Sequence, residues 1–446
     1  MHRARIASAE RLRRSAFETL ARYLGPKATI THPAFGPDRS HDFSATGELV
    51  GVPMPTWASD IGIGAQKALL VDKACLARAP DHSACDWLLA AGLHLEGWLE
   101  RAVEQARGPI HSYAFRLPAN AAAAYDHAWV NRIGLFLRRA LSQATGRPES
   151  EICGPAPQPR IILTHDVDAL EKTVQLRLKS SVMSGLAILR HLGGLRFGEA
   201  GNRLASAIRY ATGNADYRLF EEIMALEERH GMKSVFLFSD YRTSGPRAWL
   251  IDPSYRVADA NVAAHVRAII LRGWQLGIHP GYESWNYDAA IGALRQSLEA
   301  TAGTDVHICR QHWLRFSWAD TWRAQCRAGV RLDLTLGFND RPGFRNGSAL
   351  RHRPMSCEAQ GGHGLAMIPN LFMDSHFYDY AFPTDVSAAM KPWIDEVIAV
   401  GGEASVIWHS QTMHPEFGWA DGYAALLAML AERGVTRTMI ECEDLG

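Results

Sequence analysis

The sequence predicts an α/β protein in which a (β/α) barrel over residues 154–446 follows a smaller α+β extension over residues 1–153. Three observations predict it. Gly154-Pro155-Ala156-Pro157-Gln158-Pro159 holds three prolines and reads as an extended linker. Beyond it, helices stopped by glycine alternate with short apolar strands, the pattern of a parallel sheet. Each of these strands runs into polar or ionisable residues, and in a barrel all strand C-termini open on one face.

In the extension, Met1 to Gly25 is Arg-rich, with Leu12, Phe17, Leu20 and Leu24 at helical spacing. An amphipathic helix is expected there, not the continuous apolar core of a signal peptide. Residues 51–64 are rich in Gly and Pro. Helices are expected over 83–106 and 119–146. Trp87, Leu88, Leu95, Trp98 and Leu99 mark the core face of the first.

The barrel opens with Ile161-Ile162-Leu163, a buried strand leading into Thr164-His165-Asp166-Val167-Asp168. Residues 171–214 interrupt the rhythm. They are rich in Arg and Lys, with apolar residues at helical spacing, and suit a lid or a peripheral contact with an anionic membrane. Then the units follow in order. Helix Phe220 to His230 precedes strand Ser234 to Phe238, and helix Asn261 to Arg272 precedes Trp274 to Ile278, which ends at His279. A helix over 289–301 precedes Val306 to Cys309, which ends at Arg310 and His312. A helix over 319–328 precedes Val330 to Leu334. Met373-Asp374-Ser375-His376 ends a further strand, and a helix over 387–400 precedes Ser405 to Trp408, which ends at His409.

Composition narrows the function classes. Lys+Arg and Asp+Glu both number 47, which argues against a nucleic-acid partner. The seven cysteines are scattered with no C-x-x-C pair, as expected of a reducing compartment and against a zinc–thiolate site. No apolar run reaches the length of a membrane-spanning helix. The expected location is the cytoplasm, and the oligomeric state is not legible.

The chemistry lies at the strand ends. Asp166 and Asp168 share one face of their strand and both reach the barrel mouth. His279, Arg310, His312 and His409, remote in sequence, should converge on them. These residues resemble the polysaccharide deacetylase superfamily (NodB homology, carbohydrate esterase 4-like), in particular a bacterial branch with an N-terminal extension and a Thr-His-Asp-Val-Asp first motif. The resemblance covers residues 155–446 well and 80–150 more weakly. It implies a distorted (β/α) barrel and metal-dependent hydrolysis of an acyl group on a sugar.

Carried over by position, the resemblance makes Asp166 the general base, with Arg310 orienting it. His409, in Ile407-Trp408-His409-Ser410, becomes the proton donor to the leaving amine. The family pattern Thr-Phe-Asp-Asp-Gly is altered here: Val167 replaces the metal-binding Asp, so that role passes to Asp168. In His279-Pro280-Gly281-Tyr282-Glu283 the first His is kept and Glu replaces the second. Asp168 and His279 are therefore expected ligands of a divalent ion, Zn²⁺ first and Mn²⁺, Co²⁺ or Ni²⁺ after it; His312 has no strict counterpart in the family pattern and is the candidate third ligand because imidazole suits Zn²⁺. Glu283, Tyr282, Asp333, Arg345 and His414 are the expected substrate contacts, with Asp333 and Arg345 also a candidate pair behind the site. His165 should point away and serve as a structural hydrogen-bonding group. Trp285, Trp313, Trp408 and Trp419 are candidates for stacking on sugars.

The function so implied is removal of an N-acyl group, acetyl or formyl, from an amino sugar during cell-envelope polysaccharide biosynthesis. The substrate would be nucleotide-linked, lipid-linked or an oligosaccharide. Two alternatives remain open. Asp166-Val167-Asp168 also spells the D-x-D pair of metal-dependent glycosyltransferases, and Glu283 in place of a histidine fits a non-catalytic sugar-binding barrel. Metal content and binding of a uridine nucleotide separate the three.

Overall fold

The computed structural model describes residues 9–40, 45–62, 67–174, 176–177, 214–240, 246–358 and 364–441. In the extension, helix Ala9–Leu24 packs on helix Trp87–Leu95, and a hairpin pairs β1 (Leu49–Pro53) with β2 (Ala68–Asp72). The helix expected over 83–106 is broken: Trp87–Leu95 and Trp98–Arg107 meet at Gly97, whose φ is 61°. A Cβ there would meet the ring of Trp318, so both the turn and the close approach require glycine. The stretch expected as helix over 119–146 is a 3₁₀ segment, Ala119–Tyr125, followed by helix Trp129–Thr145.

After the coil at 154–159, eight strands form one parallel sheet. They are β3 (Arg160–Val167), β4 (Val235–Phe238), β5 (Gln275–Ile278), β6 (Ile308–Cys309), β7 (Leu332–Asp333), β8 (Ala366–Met367), β9 (Asn370–Met373) and β10 (Glu403–Ile407). Helices Phe220–Arg229, Ala260–Leu271, Asp288–Ala302, Thr321–Arg327 and Val386–Ala399 carry the crossovers. The spatial order is β8-β7-β6-β5-β4-β3-β10-β9. Its two edges, β8 and β9, are joined by Ile368-Pro369 alone, so Met367 and Asn370 lie within about 11 Å of each other. The sheet must therefore curl until its edges meet. The chain at 366–373 makes the junction, since Ile368 N donates to Asp333 O on one side and Pro369 O accepts from Ser405 N on the other. This is a distorted (β/α) barrel. β8, two residues long, carries no legible strand signal in the sequence.

Two faces of each strand serve different partners. Ile162, Val235, Leu237, Ile308, Leu332 and Leu334 form one buried cluster, the interior of the barrel. Ile161, Leu163, Phe236, Phe238, Leu276, Ile278, Cys309, Ala404 and Val406 alternate with them and pack under the helices. The period of two carries on past the apolar residues. Thr164, Asp166, His279, Arg310, Ser405 and His409 fall on the inner parity, while His165, Asp333 and Trp408 fall on the outer.

The extension has its own apolar cluster, which reaches Leu350 and Met355. Buried polar bonds tie it to the barrel. Tyr23 Oη donates to Val400 O at 2.6 Å, and Asn131 Nδ2 to Ala349 O at 2.9 Å. Cys326 and Cys357, expected to be reduced, are joined as a disulfide with Cα atoms 6.5 Å apart. Among the described residues no helix is long and apolar enough to cross a membrane.

Candidate active site

Asp166 and Asp168 leave the end of β3 toward the mouth of the barrel. Arg310, fully buried, donates from Nη1 to Asp166 Oδ1 at 2.8 Å and to Thr164 Oγ1 at 2.6 Å, and from Nε to Leu334 O at 3.0 Å. Burial alone would raise the Asp166 carboxyl. The Arg310 guanidinium, with His279 and His409, outweighs it and holds the group below the ordinary 3.8. Asp166 is thus kept ionised and aimed.

The three expected ligands come together: one donor atom each from Asp168, His279 and His312 lies within 4.8 Å of the others. The tautomers follow from the partners. His279 Nδ1 faces Arg310 O at 2.8 Å, and a carbonyl only accepts, so Nδ1 carries the proton. Nε2 then faces Asp168 Oδ1 at 3.3 Å. His312 Nδ1 meets the carboxylate of Asp252 at 3.0 Å, leaving its Nε2 at 3.6 Å from Asp168 Oδ1, too far for a hydrogen bond.

His312 Nε2 and Asp168 Oδ1 are both buried with no hydrogen-bond partner among the described residues. Each such atom costs about 1–3 kcal/mol. A cation between them removes both costs at once. One carboxylate and two imidazoles, each oriented from behind, form a donor set suited to a divalent ion of the zinc type. Burial would raise the Asp168 carboxyl. The His312 charge and the two neighbouring imidazoles reverse this and hold it well below its usual range. Burial would likewise lower His312, and Asp168 with Asp252 raises it.

On the far side of Asp168 stands His409, its Nε2 at 3.7 Å from Oδ2. Its Nδ1 meets Asp374 Oδ1 at 2.7 Å, and the other Asp374 oxygen accepts from His409 N and Thr412 Oγ1, both at 2.8 Å. Burial would depress the imidazole, but Asp374 first, then Asp168 and Asp166, push it up to about 10. At neutral pH the ring is charged and can donate a proton. Asp374 comes from the end of β9, paired with β10 at Met373↔Ile407.

Two positioning residues escaped the sequence reading. Asp252 sits in a loop with no periodic pattern, and the sequence marks Asp374 only as part of a strand end. The neighbour relation of β9 and β10 would have exposed the second. His165 behaves as expected: it lies on the outer face, with Nε2 on Glu227 Oε1 at 2.8 Å and Nδ1 on Trp408 O at 2.7 Å.

The expected substrate contacts do not gather at the site. Asp333 has the outer parity and is buried against helix Thr321–Arg327, accepting from Trp322 Nε1 at 2.9 Å, Gln325 Nε2 at 2.8 Å and the Thr335 hydroxyl. It anchors a helix. Arg345 is buried on Glu100 of the extension, with Nη2 to Oε2 at 2.9 Å, and on Gly337 O at 2.8 Å, so it makes no pair with Asp333. Glu283 is exposed and bound to Arg315 at 2.6 Å, because the turn after Pro280 carries it outward. The Tyr282 ring lies under Arg315 at 4.2 Å, while its backbone N–H supports Asp252 at 2.7 Å. His414 packs edge-on against Tyr217 at 5.5 Å, beside the Lys172–Glu416 pair. Of the four tryptophans, Trp313 lies 6.4 Å from the His312 ring. Trp285 meets His111 at 5.1 Å, Trp419 stacks on Tyr378 at 4.8 Å, and Trp408 is buried on the outer face.

No protein-family model matches the sequence, and no curated protein is similar to it. Two solved structures are similar to part of the chain. One is a provisionally assigned polysaccharide deacetylase from Mycobacterium smegmatis, 13% identical, with 64% of this chain and 97% of that one covered and a TM-score of 0.34. Another is a mutant of a CE4 family pseudoenzyme with restored enzymatic activity, 10% identical, covering 62% and 64% with a TM-score of 0.31.

Proposed function

We propose that this chain is a metal-dependent deacylase that hydrolyses the N-acyl group, acetyl or formyl, of an amino sugar used in cell-envelope polysaccharide. The observation that carries the reading is the facing arrangement of Asp166 on Arg310 and His409 on Asp374 across the Asp168–His279–His312 set. A divalent ion held by that set, Zn²⁺ by its donor chemistry, would polarise the acyl carbonyl and acidify a water.

The residues of the chain supply the proton transfers. Asp166, kept ionised by Arg310, takes a proton from the attacking water as its oxygen bonds to the acyl carbon. The bond from that carbon to nitrogen then breaks, and His409 delivers a proton to the departing nitrogen. Asp374 holds the imidazole charged and aimed for that delivery. Each proton-transfer group contributes about 10²–10⁴-fold. A D-x-D glycosyltransferase fits less well, because Asp166 Oδ1 is occupied by Arg310 and the ligand set pairs Asp168 with two histidines instead.

The substrate we favour is a nucleotide- or lipid-linked sugar, with residues 171–214 meeting its anionic part. Most of that segment, including Arg190, Arg196 and Arg203, lies outside the described residues. Lys172, which is described, is buried against Glu416. The test is release of acetate or formate from nucleotide-linked, undecaprenyl-linked and free oligosaccharide substrates at low and high salt. Preference for the charged substrates, weakened by salt, is expected. Preference for long free polymers without a salt effect would overturn the substrate assignment, and no release from any of them would overturn the activity.

A further inference from the structure

We propose that Ser112, in the N-terminal extension, is a positioning residue for the metal site: it braces the turn that aims His312. The inference rests on the reading of His312 as a metal ligand. Directly after His312 the chain turns through Trp313 (φ 60°, ψ 25°) and Leu314 (φ 46°). Two consecutive non-glycine residues in the left-handed region are strained. Such a turn persists only when its surroundings hold it.

The hold comes from a closed set of hydrogen bonds. Trp313 O accepts from Ser112 Oγ at 3.0 Å and from Asn339 Nδ2 at 2.6 Å. The same amide nitrogen donates its second proton to Ser112 Oγ at 2.6 Å, and Asn339 N donates to Ser112 O at 2.8 Å. The single hydroxyl proton goes to the carbonyl and a lone pair takes the amide. Ser112 and Asn339 are both buried. The loop that carries Ser112 is itself pinned, by His111 Nδ1 to Phe316 O at 3.2 Å and by the buried Arg345 guanidinium on His111 O. On its other side the turn is wedged into the site, since Leu314 packs with Met373 and Ile407, which lie just before Asp374 and His409. The turn thus stands between one candidate ligand and the proton-donor pair, and the extension holds it there.

The test is a Zn²⁺ titration against a chromophoric chelator, on the full chain, alongside melting of the metal-free protein. Ser112→Ala should weaken Zn²⁺ binding about 10-fold, within the range for residues behind a metal ligand, with only a small drop in melting temperature from the Asn339 amide left without its acceptor. Ser112→Thr keeps the hydroxyl and should restore the affinity. Asn339→Ala removes the other donor and should show the same loss, which decides the matter if Ser112→Ala does not fold. Wild-type affinity in both alanine variants would overturn the positioning role while leaving the metal reading intact. A wild-type protein that binds no Zn²⁺ would overturn both.

Discussion

At the scale of single residues, the site divides its carboxylates by environment. Asp166 faces a guanidinium, Asp168 two imidazoles, and Asp374 the ring of His409. Only Asp166 is placed to act as base. Asp166→Asn is expected to lower turnover by at least about 10²-fold while metal content and fold persist, because the amide cannot take a proton; turnover assays with elemental analysis and circular dichroism check this. Asp374 acts through His409. Removing its charge as Asp374→Asn takes away the main influence lifting the imidazole to about 10. Since His409 works in its protonated form, activity should be lost at lower pH than in the wild type. A kcat profile against pH reads that shift, and an unmoved alkaline limb would detach Asp374 from the proton donor.

At the scale of elements, helices of the extension and barrel meet through buried ion pairs. Glu396, on helix Val386–Ala399, binds Arg132 Nη2 at 2.8 Å and His127 at 3.6 Å. Burial alone would raise its carboxyl, but these partners hold it at about 2 instead of 4.5. The folded state therefore favours the charged form. The contribution, on the order of 3 kcal/mol, is complete above pH 4.5 and is lost as pH falls through 2. Denaturant unfolding of wild type and Glu396→Gln across this window should converge at the acid end; a constant difference would remove the pair from the acid response. Such pairs were invisible in the sequence because their members are remote and carry no period. The strand rhythm was legible, and so was the convergence of Asp166, His279, Arg310 and His409, since both follow from alternation. The same alternation, applied one residue on, assigns Asp333 to the helix side between Leu332 and Leu334. Asp333 therefore serves the helix and not the substrate side. β8 and the loop bearing Asp252 offered too few residues for any pattern.

At the scale of the whole molecule, the extension and barrel share their interior. Arg345, read from sequence as a site residue, is instead the counter-charge of Glu100, and both side chains are essentially buried. Arg345→Ala leaves Glu100 without its counter-charge and should destabilise the protein by about 3–5 kcal/mol. Chemical denaturation checks this, and a loss under about 1 kcal/mol would show that water or another group replaces the guanidinium. The curled sheet has a matching consequence at the mouth: β3, β5 and β6 bring Asp168, His279 and His312 to one point from segments far apart in the chain. Metal content reports on that convergence. Protein reconstituted with Zn²⁺ and desalted should retain about one ion per chain by elemental analysis, and His279→Ala should retain almost none. Wild-type protein that keeps no Zn²⁺, Mn²⁺, Co²⁺ or Ni²⁺ after desalting would contradict it.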